Sequence, residues 1–106
     1  MSNLNPIGNA IGSLQNGKPN TLYTIYETTL LQGFSDPDGD TLKIASLWAN
    51  NGELSDLGDG KWSFFPETDY SGIVTLDYIL SDSKGGEVEG ILNFNIVEKL
   101  WINMFQ

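Results

Sequence analysis

The chain has 106 residues, of which 14 are acidic and 5 are basic, and its net charge at pH 7 is −9. This excess of negative charge disfavours nucleic acids and anionic membrane surfaces as partners and favours divalent cations. The chain contains no His and no Cys, which excludes the usual general base, thiol nucleophiles, disulfides and His/Cys zinc sites. Its length suits one domain with a modest core.

The first 20 residues are rich in Asn, Gly and Ser and contain Pro6 and Pro19. This composition predicts a linker over residues 1–8 and irregular structure after it, with a short edge strand around residues 7–14. The segment lacks the basic and apolar regions of a signal peptide. The chain is then either a cytoplasmic protein or a fragment of a larger one, and we expect an exported parent protein.

Residues 21–25 have the β-branched and aromatic content of a strand. Residues 26–31 precede Gly33, which is a common helix C-terminal signal, so this segment is either one helical turn or a bend in extended chain.

An acidic stretch, SDPDGD at residues 35–40, follows. Three carboxylates alternate there with a Pro and a Gly: Asp36, Asp38 and Asp40. Pro and Gly predict a tight loop, in which like charges 4 Å apart repel by roughly 1 kcal/mol in bulk water and about 4 kcal/mol at an effective dielectric constant of 20. The loop is either a solvated turn or a ligand for a hard cation such as Ca²⁺. An EF-hand is excluded because Thr41 and Leu47 stand where it requires Gly and Glu.

After this loop, alternation of apolar and polar residues predicts a series of short strands. They lie at about residues 42–47, 53–56, 61–65, 73–81 and 87–97, and turn sequences rich in Asn, Asp and Gly separate them. Such spacing predicts an all-β antiparallel sandwich. The expected core is Val74, Leu76, Tyr78, Leu80, Leu92, Phe94 and Ile96, together with Trp62 and Phe64.

Five segments carry a family resemblance when they are taken in order. They are GFSDPDGDTL (33–42), NGEL (51–54), GDGKWSFFP (58–66), DYSG (69–72) and YILSDSKGG (78–86). Together they resemble the cadherin-like tandem repeats of very large bacterial surface and secreted proteins, including RTX-type adhesins. The resemblance implies a Greek-key, cadherin/immunoglobulin-like sandwich of about seven strands over residues 9–98, with Ca²⁺ bound near domain junctions.

The same resemblance implies the metal ligands. Asp36 and Asp38 are similar to the family's DxD pair, and Asp40 is an additional carboxylate typical of the bacterial repeats. Asp82 resembles a later Asp that lies at the same pole, where the N-terminal linker comes in. The linker's own ligand is represented only by Asn5. We therefore expect these four Asp residues to form one weak calcium site, and no other cluster able to bind a metal.

The opposite pole departs from the family pattern. The family usually has Glu-Asp-Thr where this chain has PNT at residues 19–21, so that Glu67 and Asp69 are the acidic groups left there. This departure disfavours a second calcium site.

These features predict a non-enzymatic, calcium-stiffened structural or adhesion repeat at the cell surface or in a secreted protein. The expected partners are neighbouring repeats of the same chain and a surface protein or glycan. One alternative is a spacer repeat whose metal site has decayed. Another is a carbohydrate-binding module that uses its aromatic residues, for which the candidates are Trp48, Trp62, Tyr70 and Trp101. Glycoside hydrolysis by paired carboxylates is disfavoured, because the acids lie in turns of a small domain.

The C-terminal residues 99–106 form an apolar tail, LWINMF after Lys99. The tail is expected to cover a sheet edge, to dock on a neighbouring copy, or to be disordered by truncation.

Overall fold

Eight strands and one short helix make up residues 3–98, the part of the chain that the computed structural model describes. In chain order they are β1 (Ile7–Gly8), β2 (Tyr23–Tyr26), α1 (Glu27–Leu31), β3 (Phe34–Ser35), β4 (Lys43–Ala49), β5 (Gly52–Gly58), β6 (Lys61–Pro66), β7 (Gly72–Ser81) and β8 (Glu87–Ile96). No helix in this part of the chain has the length and hydrophobicity needed to cross a bilayer.

Two three-stranded antiparallel sheets form the body of the fold, with strand orders β2-β6-β5 and β4-β7-β8. A third, two-stranded sheet pairs β1 with β3. Buried side chains from both three-stranded sheets belong to one hydrophobic cluster. The predicted all-β antiparallel sandwich is therefore confirmed, with eight strands in place of about seven.

Strand β7 lies between β4 and β8 and shows the predicted alternation most clearly. Its inward residues are fully buried: Val74, Leu76, Tyr78 and Leu80. Across the sandwich, the ring of Phe64 meets that of Phe94 edge to face at 5.8 Å between centroids, a favoured aromatic geometry. Trp62 and Leu92 are partly exposed but pack against this core.

A β-bulge in β4 changes which residues face the core. Ile44 pairs with Leu80 and Ser46 pairs with Ile79, so one extra residue lies between them. The extra residue shifts the alternation by one position. As a result Leu47 packs against the core, whereas Trp48 is 59% exposed.

The segment after β2 is helical, which settles the choice between a helical turn and a bend. Helix α1 buries Leu30 completely, and the hydroxyl of Tyr78 donates a 2.9 Å hydrogen bond to its carbonyl oxygen. The chain then passes through Gly33 at φ 93°, a left-handed conformation that favours glycine after a helix.

Three segments meet at one end of the sandwich. Strand β7 ends at Ser81 opposite Lys43, the first residue of β4, and the acidic loop of residues 36–40 lies just before β4 in the chain. The pairing of Ile7 with Ser35 places the N-terminal segment beside the same loop. We call this end the acidic pole. The predicted tail, residues 99–106, lies outside the described residues.

Candidate metal centre

Three carboxylates converge at the acidic pole. Asp36 and Asp40 come from the loop between β3 and β4, and Asp82 directly follows β7. One oxygen from each lies within 4.8 Å of the others, and no second such acidic group occurs in residues 3–98. We call these three residues the acidic cluster. Three carboxylates at this spacing repel one another unless donors or a cation compensate their charge.

Asp82 is the most firmly held member, because its side chain is only 2% exposed and accepts three hydrogen bonds. Asn3 Nδ2 donates to Oδ2 at 2.8 Å, while the backbone N–H groups of Lys84 and Gly86 donate to Oδ1 at 2.8 and 2.9 Å. The hydrogen bond from Asn3, followed by those from the two backbone groups, holds the pKa of Asp82 below its ordinary value, although burial opposes the shift. These donors therefore favour the ionised form of Asp82.

Asp36 is oriented by its own loop. The backbone N–H of Asp38 donates to Asp36 Oδ1 at 2.7 Å, and the N–H of Gly39 donates to the Asp36 carbonyl at 2.9 Å. Gly39 has φ 77°, a conformation that Gly adopts without strain. The turn directs the carboxylate inward, and its second oxygen, Oδ2, is buried with no hydrogen-bond partner among the described residues.

Asp40 has one compensated oxygen and one uncompensated oxygen. Lys84 Nζ forms an ion pair with Oδ1 at 2.8 Å, and Asp40, together with the nearby cluster charges, raises the pKa of Lys84. Asp40 Oδ2 is buried without a partner in the described part of the chain. The cluster thus contains two carboxylate oxygens that are removed from solvent and receive no donor from residues 3–98.

Buried charged oxygens without donors are costly, and a hard cation between them removes that cost. Carboxylate oxygens are the ligands that Ca²⁺ and Mg²⁺ take, and Ca²⁺ tolerates irregular sets of six to eight oxygens. The donor set of the acidic cluster, without nitrogen or sulfur ligands, fits this chemistry.

Asp38, the fourth predicted ligand, is not a member of the group of three. Its Oδ2 accepts a 2.8 Å hydrogen bond from the backbone N–H of Leu4. In this arrangement Asp38 fastens the N-terminal segment to the loop.

Two further residues at the acidic pole were not identified from the sequence. Asn3 reaches Asp82, whereas Asn5, the expected linker ligand, accepts a long 3.4 Å hydrogen bond from the Glu87 N–H. Lys84 supplies the counter-charge to Asp40. The sequence signal for Asn3 is its place three residues before Pro6 in a linker that also contains Asn5. For Lys84 it is the position two residues after Asp82 in a Gly-rich turn.

An amide–carboxylate pair occupies the opposite, or far, pole. Asn20 Nδ2 donates to Asp69 Oδ1 at 2.9 Å, and the Asp69 N–H donates to Asn20 Oδ1 at 2.9 Å. The carboxylate of Asp69, one of the two acidic groups that the sequence left at this pole, is therefore hydrogen-bonded by the side chain of Asn20.

Comparisons with known proteins agree with the sequence and the fold. The family model for a cadherin-like domain matches residues 2–97. No curated protein matches the chain. An endo-fucoidan hydrolase from glycoside hydrolase family 107 is similar in structure, with a TM-score of 0.58 and 22% sequence identity, over 90% of this chain but only 14% of that one. At this identity the likeness shows the fold alone.

Proposed function

We propose that this chain, which belongs to the cadherin-like domain family, is a calcium-binding structural or adhesion module whose ion is held by Asp36, Asp40 and Asp82. The observation that carries the proposal is the pair of buried carboxylate oxygens, Asp36 Oδ2 and Asp40 Oδ2, that have no donor among the described residues. One carboxylate oxygen of each of Asp36, Asp40 and Asp82 lies within 4.8 Å of the others.

A bound Ca²⁺ supplies two positive charges and oxygen coordination. The protein supplies the positioning of its ligands: the loop turn orients Asp36, the backbone of the turn after β7 orients Asp82, and Asn3 and Asp38 tie the N-terminal segment to both. Neutralising the cluster removes the repulsion between these segments. The N-terminal segment then has one preferred direction relative to the sandwich.

A fixed N-terminal direction is what a repeat in a tandem array needs. We infer that the parent protein is a large bacterial surface or secreted protein, and that the partners of this module are neighbouring repeats, with a surface protein or glycan as the adhesion ligand. Extracellular calcium modules bind with dissociation constants of about 10⁻⁴–10⁻³ M. The family assignment and the position of the cluster beside the N-terminal segment support this context.

The family assignment also supports a non-enzymatic role. The carbohydrate-binding alternative receives less support, because Trp62 and Tyr70 pack against the core, while Trp48 lies exposed on the sheet opposite to that of Tyr26 and Phe65. The experiment below also tests the other alternative, a spacer repeat whose metal site has decayed.

The experiment is calorimetric titration of the calcium-stripped protein with CaCl₂. Wild type should bind one ion, and Asp36→Asn, which keeps the shape and the accepting oxygen, should lose at least about tenfold in affinity because a buried ligand charge is removed. Asp77→Asn, on β7 but outside the acidic cluster, is the matched control and should bind like wild type. Absence of binding heat in wild type would leave the spacer alternative.

A further inference from the structure

Lys84 touches two members of the acidic cluster at once. Its backbone N–H donates to Asp82 Oδ1 at 2.8 Å, and its ammonium lies 2.8 Å from Asp40 Oδ1. The turn that carries it passes through Ser83 at φ 66° and Gly85 at φ 96°. This turn places the Lys84 backbone N–H beside Asp82 and its side chain beside Asp40, in the loop that precedes β4.

The Lys84 ammonium forms its ion pair with Asp40 at a solvent-exposed position. The Lys84 side chain is 62% exposed, whereas that of Asp40 is 15% exposed. In the described part of the chain, Asp40 Oδ1 is the side-chain partner of the ammonium. Because an exposed ammonium remains well hydrated after it leaves Asp40, a divalent cation can displace it from this ion pair.

We propose that Lys84 is a built-in competitor for the cation: its ammonium compensates Asp40 in the metal-free protein and is displaced when a divalent cation binds, which sets the affinity lower than the carboxylates alone would give. This inference rests on the proposed calcium function and deepens it. The ammonium lies 2.8 Å from Oδ1 of Asp40, a carboxylate of the proposed site, and a positive charge so close repels an incoming divalent cation. The three carboxylates therefore attract the cation with part of their charge already neutralised.

The ion pair between Lys84 and Asp40 sets the calcium concentration above which the site fills. Without calcium, the ion pair limits repulsion between Asp40 and its neighbours, so the pole remains assembled. With calcium, the ion must displace the ammonium, so the site fills only at higher calcium concentrations. A weak site of this kind distinguishes calcium-rich surroundings from calcium-poor ones.

The test compares Ca²⁺ affinity, by calorimetric titration of stripped protein, in wild type, Lys84→Gln, Lys84→Arg and Lys18→Gln. Lys84→Gln should bind Ca²⁺ about three- to tenfold more tightly, because the competing charge is gone. Lys84→Arg keeps the charge and should bind within about twofold of wild type. Lys18→Gln makes the same charge change in the exposed segment beside the far-pole residue Gly17 and should also match wild type.

A second readout separates competition from a merely structural role. In EDTA, Lys84→Gln should melt below wild type, because the protein loses its own counter-charge, yet its gain in melting temperature on adding Ca²⁺ should exceed that of wild type. A structural role alone would lower the melting temperature in both conditions by similar amounts. If wild type binds Ca²⁺ and Lys84→Gln binds it equally or more weakly, the competitor inference is wrong while the proposed function stands. If no variant binds Ca²⁺, the proposed function fails and the inference fails with it.

Discussion

The side-chain amide of Asn3 donates a 2.8 Å hydrogen bond to Asp82 Oδ2, across 79 positions of sequence. The same amide lies 3.3 Å from the carbonyl oxygen of Lys84. The N-terminal segment is thereby fastened to the turn that follows the central strand β7. Orientation of this segment and ionisation of Asp82 are physically coupled, because a charged acceptor makes the stronger hydrogen bond.

Replacing Asn3 tests this coupling. Asn3→Ala removes the donor from a buried carboxylate, so we expect a lower melting temperature in EDTA and a reduced calcium affinity. Asn9→Ala is the control: it is an exposed Asn in the same N-terminal region, and its backbone N–H bond to the Gly33 carbonyl does not depend on the side chain. Thermal unfolding and calcium titration check both variants. Identical behaviour of Asn3→Ala and Asn9→Ala would contradict the coupling.

Asp36 and Asp38 should respond differently to the same substitution. Asp36→Asn removes a charge from the acidic cluster, whereas Asp38→Asn changes an exposed side chain whose bond to the Leu4 N–H an amide oxygen can still accept. We expect Asp38→Asn to weaken calcium binding by no more than about threefold, as for an exposed charge near the site. Parallel calcium titrations measure the difference. A loss in Asp38→Asn equal to that in Asp36→Asn would instead make Asp38 a direct ligand.

The sandwich and much of its core could be predicted from the sequence, because burial on one face of a strand imposes a period of two. The pattern from Val74 to Leu80 is the clearest case, and it is buried as expected. In β4 the inward-outward alternation shifts by one residue at the bulge. The sequence hints at this only through Leu47, an apolar residue out of step with Ile44, because a bulge leaves no fixed sequence signature. Its effect on Trp48 required the pairing register.

The acidic cluster was only partly accessible to sequence reasoning. Proximity of Asp36 and Asp40 follows from one tight loop, and Asp82 was placed with them by resemblance. In a loop, unlike a strand, side chains at alternate positions need not point the same way. The sequence therefore could not show that Asp36 points into the cluster while Asp38 lies exposed. The contacts of Asn3 and Lys84 depend on tertiary packing and on left-handed turn residues.

The bulge in β4 gives a prediction about stability. Leu47→Ala removes side-chain contacts with the core and should cost about 1–3 kcal/mol in free energy of unfolding. Trp48→Ala truncates a larger side chain that is 59% exposed, and it should cost less than about 1 kcal/mol. Urea denaturation of both variants measures the two values. A greater loss for Trp48→Ala would mean that the register across the bulge is wrong.

Because Tyr78 is buried, we expect the free energy of unfolding to fall at alkaline pH. Burial raises its pKa from 10.0 to about 12. A raised pKa means that the unfolded chain loses this proton first, so the stabilising contribution is complete below about pH 10 and disappears as the pH rises through about 12.

Substitution of Tyr78 checks the origin of this fall in stability. Tyr78→Phe leaves the Leu30 carbonyl without its donor and should cost about 1–2 kcal/mol at neutral pH. It should also weaken the loss of stability above pH 10. Tyr26→Phe, at a 50% exposed position, serves as the control and should leave the free energy of unfolding at neutral pH unchanged. Denaturant unfolding as a function of pH would contradict the assignment if Tyr78→Phe kept the wild-type alkaline profile.

Thermal unfolding in Ca²⁺ and in EDTA tests the calcium proposal most directly. Ten millimolar Ca²⁺ is roughly 10–100 times the expected dissociation constant, which should stabilise the folded state by about 1.4–2.7 kcal/mol. For a domain of this size the melting temperature should then rise by about 5–15 °C. Asp36→Asn should lose most of this rise, and Asp77→Asn should keep it. Equal melting temperatures of wild type in Ca²⁺ and in EDTA would show that the acidic cluster is a solvated turn and not a calcium site.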